Sequence, residues 1–167
     1  MDNADLDIAE LTQLFRQLGA PDPAGWARSQ VAEGIPQLAR FLFLRQAWRN
    51  VLADGDTSWI DATISATRAD PNAPFAGVGA ALARLRADGA ADEDITEVVR
   101  EMQAAALFAF TQLLDDPGEF EPEVADVRWA LVQIGPDGEI LGEIGALHES
   151  VLETDPTGRE MRPRPES

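Results

Sequence analysis

Two hydrophobic periods divide this chain, and together they decide what it can fold into. Up to Leu114 the apolar residues recur every three or four positions, the spacing of one face of an α-helix. Over residues 127–147 they alternate, the spacing of a β-strand. Helices first and strands afterwards predict an α+β fold dominated by helix, not the alternating order that builds a parallel sheet.

Turn residues cut the helical part into about six pieces. Ile8, Leu11, Leu14, Phe15 and Leu18 make a stripe along residues 5–18, which Gly19 ends. Pro23 suits the first turn of a short helix reaching about Glu33, and Gly34 breaks it. Pro36 opens a longer helix to about Ala53. Leu38, Phe41, Leu42, Phe43, Leu44, Trp48, Val51 and Leu52 cover most of its circumference, so it is expected to be central. A fourth helix, capped by Asp56 or Thr57, carries Trp59, Ile60 and Ile64 and stops before Pro71. A fifth spans residues 76–88 with Val78, Leu82 and Leu85 inward. The sixth, residues 93–114, places Ile95, Val98, Val99, Met102, Ala106, Phe110 and Leu113 in one stripe and is the second expected central helix.

Residues 115–126, DDPGEFEPEVAD, interrupt this pattern with six acids, two prolines and no base. They read as an acidic linker. Beyond them VRWALVQI, the turn GPDG and EILGEIGAL predict a β-hairpin over residues 127–147. Pairing Ile134 with Glu139 sets Trp129 opposite Ile144. That register gives an apolar face of Trp129, Leu131, Ile140 and Ile144 for the helices to cover. A length of 167 residues suits one globular domain, expected over residues 1–155, with a flexible Pro/Arg-rich tail over 156–167.

Charge and missing residue types narrow the function. Thirty acidic residues face thirteen basic ones, for a net charge of −17. Such a field repels phosphate backbones and anionic lipid, so neither nucleic acid nor membrane is an expected partner, whereas a basic protein surface is. Every base is an arginine; lysine, cysteine and tyrosine are absent, as in proteins from GC-rich bacterial genomes. Disulfides, thiolate metal sites, Schiff-base lysines and the P-loop lysine are thereby excluded. His148 is the single histidine, so no zinc site of the usual kind can form, and no cofactor or metal is expected. The opening MDNADLDIAE lacks the apolar core of a signal peptide, and the longest apolar run, residues 104–110, is too short to span a bilayer. A cytoplasmic location is expected.

Several residues invite chemistry. His148, Glu149 and Ser150 set a histidine beside a carboxylate and a hydroxyl, but strand neighbours point to opposite faces and no G-x-S-x-G elbow is present. A histidine hydrogen-bonded at the end of the hairpin is expected instead. Glu97 and Glu101 share a helix face yet lack the second carboxylate pair that a helical metal site needs. Two sets remain. Asp115, Asp116, Glu119, Phe120 and Glu121 combine acids with an aromatic and are expected to dock a cationic partner. Arg45, Trp48 and Arg49 ride on an otherwise apolar helix, and a buried arginine needs carboxylates or an anionic ligand, so they form an expected anion site. The leading expectation is a small acidic, non-enzymatic binding or regulatory protein, akin in composition to inhibitors and immunity-like toxin-neutralising proteins. The alternative is a small-molecule anion-binding protein or a carboxylate-based hydrolase built on the Arg/Trp helix.

Overall fold

Asp7 starts the first helix with a reciprocal cap in the computed structural model, which describes residues 7–116, 118 and 120–164. Its carboxylate accepts the Glu10 N–H at 2.9 Å, while the Glu10 carboxylate accepts the Asp7 N–H at 3.0 Å. Helix α1 (Ile8–Leu18) ends at Gly19, whose φ of 84° is a left-handed conformation that glycine adopts without a Cβ clash. Asp22 caps α2 (Pro23–Glu33) through the Gly25 N–H. Then follow α3 (Gln37–Trp48), α4 (Ser58–Ala69), α5 (Ala76–Ala87) and α6 (Asp92–Asp115). Strands β1 (Val132–Ile134) and β2 (Ile140–Glu143) pair antiparallel, and α7 (Leu147–Ser150) is one further helical turn. The fold is α+β and predominantly α, as the two periods predict.

The chain divides into two compact units, one of residues 51–104 and one of the residues on either side. In the larger unit Phe15, Trp26 and Phe41 meet in tilted and edge-on pairs with ring centres 5.5–6.0 Å apart, the arrangement that aromatic quadrupoles prefer. Leu11, Ala20, Ala27 and Leu38 complete this cluster. Further along α3, Leu44 and Trp48 are buried, as are Leu147 and Val151. The Trp48 indole N–H donates to the Val151 carbonyl at 2.9 Å and to Thr154 Oγ1 at 3.2 Å, so the aromatic is both packed and satisfied. Helix α3 nonetheless keeps an open side, on which Leu42, Arg45, Gln46 and Arg49 are exposed.

The smaller unit packs Ile60, Ile64, Leu82 and Ile95 together. Helices α4 and α5 approach so closely that a Cβ on Gly79 would stand 2.7 Å from the Thr63 carbonyl oxygen, which no side chain tolerates. Arg86 forks onto Asp92 with hydrogen bonds of 2.7 and 2.5 Å and reaches Asp61 at 2.5 Å. Those hydrogen bonds from Arg86, and then its charge, hold the Asp92 carboxyl below its ordinary pKa.

Two expectations fail in detail. On α6, Val98, Met102, Ala106, Phe110 and Leu113 were expected inward, yet all five are exposed, and Thr96, Arg100, Ala104 and Thr111 are buried instead. Hydrogen bonding decides the face. Thr96 Oγ1 receives the Trp59 indole N–H at 3.0 Å, and Thr111 donates to the Phe108 carbonyl, so both threonines lie inward with their hydroxyls hydrogen-bonded, while the buried Nε atom of Arg100 makes no hydrogen bond. In the hairpin, Val132 pairs with Glu143 and Ile134 with Ile140 across a bulge, not Ile134 with Glu139. The expected apolar face dissolves: Ile144 is buried, but Ile140 is exposed and Trp129 lies outside the strands with 39% of its surface exposed. A register change of one residue turns every side chain to the other face.

Phe41→Ala empties a buried aromatic site and is expected to lower stability by about 3–5 kcal/mol in chemical denaturation, whereas Trp129→Ala, which loses one hydrogen bond and partial burial, is expected to lower it by about 1–2 kcal/mol. Equal losses would mean that Trp129 is a core residue. A second expectation concerns acid. The folded-state pKa of Asp92 lies below its ordinary 3.8, so the stabilisation from its pair with Arg86 is complete above that value and disappears as pH falls through the folded-state pKa. Urea midpoints followed into this acidic range should fall more steeply for the wild type than for Asp92→Asn.

Candidate functional site

Asp115 ends α6, where the helix dipole is unfavourable to a negative charge. It is held there by donors from a residue 33 positions on. Its Oδ2 accepts the His148 backbone N–H at 2.8 Å and faces His148 Nδ1 at 2.6 Å. Only 6% of the Asp115 side chain is exposed. The carboxylate thus fixes the ring proton on Nδ1 and leaves Nε2 as the free nitrogen, while Phe108 stands edge-on to the ring. Arg40 is buried in the same unit. Burial pushes its guanidinium pKa down, and the charges of Asp115 and Glu149 pull it back up. Asp115 Oδ1 and Arg40 Nε are buried without hydrogen-bond partners.

A histidine oriented by a carboxylate is half of a hydrolytic triad. The other half is missing among the described residues: no hydroxyl bonds to His148, Ser150 is buried, and Glu149 turns to solvent. Nor do three histidine or acidic side chains converge among them in a way that would hold a metal. His148 is hydrogen-bonded at the end of the hairpin, as expected, and not to its neighbours in sequence. The partner of His148 is Asp115, and no local signal marks a contact across 33 residues.

That contact also redistributes the expected acidic docking set. Asp115 turns inward, Asp116 and Glu121 are exposed, and Glu119 lies outside the described residues. Phe120 is half-buried against Trp129, with ring centres 5.3 Å apart, and the Trp129 indole N–H donates to the Leu113 carbonyl at 2.8 Å. This pins residues 120–129 to the end of α6. In the segments joined by these contacts, Phe110 (65% exposed), Leu113, Val124 and Val127 are exposed, and so are Asp116, Glu121, Glu123 and Asp126. Arg128, the single base in this stretch, donates to the carbonyls of Ala125 and Val127.

The expected anion set separates as well. Trp48 is inside, and Arg49 is exposed and bonded to Gln46. Arg45 alone of the three lines an open cavity of about 260 Å³, together with Leu18, Phe41, Glu153 and Asp155. Glu153 and Asp155 directly precede the segment expected as a flexible tail, and Asp155 opens a turn there. Asp155 organises that turn, accepting from the Thr157 N–H at 3.1 Å, the Thr157 hydroxyl at 2.6 Å and the Met161 N–H at 3.0 Å. No helix among the described residues is long and apolar enough to cross a membrane. The chain matches no protein-family model, no curated protein and no solved structure.

Asp115→Ala removes the acceptor of two His148 donors. A loss of about 1–3 kcal/mol in denaturation is expected, the range for stranding buried donors. Nitrogen-15 shifts of the ring should at the same time lose the pattern of a proton fixed on Nδ1. An unchanged tautomer would show that the carboxylate does not set it.

Proposed function

We propose that this protein is a small acidic binding or regulatory protein that docks a cationic protein partner, in the manner of an inhibitor or immunity-like protein, through the end of α6, Asp116 and residues 120–129. The observation that carries this reading is the pairing of open apolar side chains, Phe110, Leu113, Val124 and Val127, with exposed acids, Asp116, Glu121, Glu123 and Asp126. Exposed apolar surface rimmed by one sign of charge suits a partner that brings the opposite sign and an apolar anchor. A second copy of the chain would bring −17 to face −17. Phosphate and anionic lipid are disfavoured for the same reason. Association is then fast and salt-sensitive, with screening over about 8 Å at physiological ionic strength.

A second reading, binding of a small charged molecule beside Arg45, is favoured by the cavity there.

The docking reading is tested with a partner captured at low salt and then purified. Neutralising Asp116, Glu121, Glu123 and Asp126 to their amides should slow association and flatten its dependence on salt, and Phe110→Ala should chiefly speed dissociation. An acidic partner, or an association rate indifferent to the four amides, removes this reading.

A further inference from the structure

The cavity beside Arg45 sets opposite charges over an apolar floor. Leu18, Phe41 and Pro156 supply carbon surface; Arg45, Glu153 and Asp155 supply charge. These three differ in what they have left to offer. The Asp155 carboxylate is engaged by Thr157 and Met161. Glu153 Oε1 takes the Trp26 indole N–H at 3.1 Å, which holds the carboxylate in place and leaves Oε2 to a ligand. Arg45 makes no hydrogen bond or ion pair to the described residues. The rim therefore presents a donor fork and a carboxylate acceptor, with a second carboxylate close by.

That arrangement discriminates by charge. A simple anion would gain Arg45 but meet two carboxylates, and a simple cation would gain Glu153 but meet the guanidinium. A zwitterion satisfies both: its carboxylate takes the planar fork of Arg45, where two parallel hydrogen bonds can form, and its ammonium takes Glu153. The cavity, at about 260 Å³, lies at the small end of ligand sites, and its apolar floor has room for one aliphatic or aromatic side chain. We propose that it binds a free α-amino acid with an apolar side chain. The inference rests on the small-molecule reading above and names its ligand class.

Isothermal titration of the full chain with leucine and phenylalanine, alongside the Trp26 indole N–H signal by NMR, tests it. The same amino acids are then offered as carboxyl amides and as N-acetyl derivatives. Free amino acids are expected to saturate at millimolar concentration or below, and each capped form to bind at least about tenfold more weakly. Arg45→Gln should abolish the preference for acid over amide, and Glu153→Gln the preference for free amine over N-acetyl. Both side chains are exposed, so the variants keep the core intact. An N-acetyl form that binds as tightly as the free amino acid overturns the zwitterion assignment while a small-anion site stands. An amide that binds as tightly overturns it in favour of a cation site. If no compound saturates up to about 10 mM, the amino-acid assignment falls, and the small-molecule reading falls with it only if acetate and inorganic phosphate, titrated alongside, also fail to bind.

Discussion

The larger unit depends on burying one face of α3. That face runs from Gln37 and Leu38 through Phe41 and Leu44 to Trp48, and no single neighbour covers it. Its first half packs with α1 and α2 in the Phe15–Trp26–Phe41 cluster. Its second half is closed by the segment after the hairpin, where the Val151 carbonyl and the Thr154 hydroxyl receive the Trp48 N–H. Near residues 41–45 the two covers leave space between Leu18 at the end of α1 and residues 153–158, and the cavity lies there with Arg45 at its edge. The cavity follows from how an apolar helix has to be covered by two separate pieces of chain.

Charge imposes a second constraint on this interior. A chain with thirty acids can bury one only where donors await it, because an unpaired ion is expensive to desolvate. Among the described residues, Asp155 and one oxygen of Asp115 meet that condition through nearby N–H groups. Asp155 uses the backbone of its own turn, and Asp115 uses the backbone and ring of His148. These are hydrogen bonds to a charged acceptor, stronger than neutral ones, and they fix a geometry.

Legibility in the sequence follows the range of the interaction. Caps and stops at Gly19, Gly34, Pro23 and Pro71 act within a turn or two, and they place the helix ends within a few residues of those observed. The period from 95 to 113 tells that α6 is a helix but not which side it buries, since Thr96 and Thr111 face inward by virtue of bonds that a hydrophobic count ignores. The hairpin turn is readable, whereas its register depends on a bulge between Gln133 and Ile134 that alternation does not reveal. Of the two candidate sites, Arg45, Asp116 and Glu121 were readable as unusual charge. Glu153, Asp155 and the contact of Asp115 with His148 were not, because each takes its meaning from residues distant in the chain or from a turn that only folding closes.

On the proposed reading, the acidity at the end of α6 does more than keep the chain dissolved. Phe110 and Leu113 in open water would ordinarily invite self-association. Here like charges oppose it: any two copies that bring these side chains together also bring together Asp116, Glu121, Glu123 and Asp126. The same acids leave the face accessible to a basic surface, for which the repulsion becomes attraction. If this face docks a partner as proposed, the Phe120–Trp129 contact orders part of it beforehand, so part of the entropy of docking is met in folding.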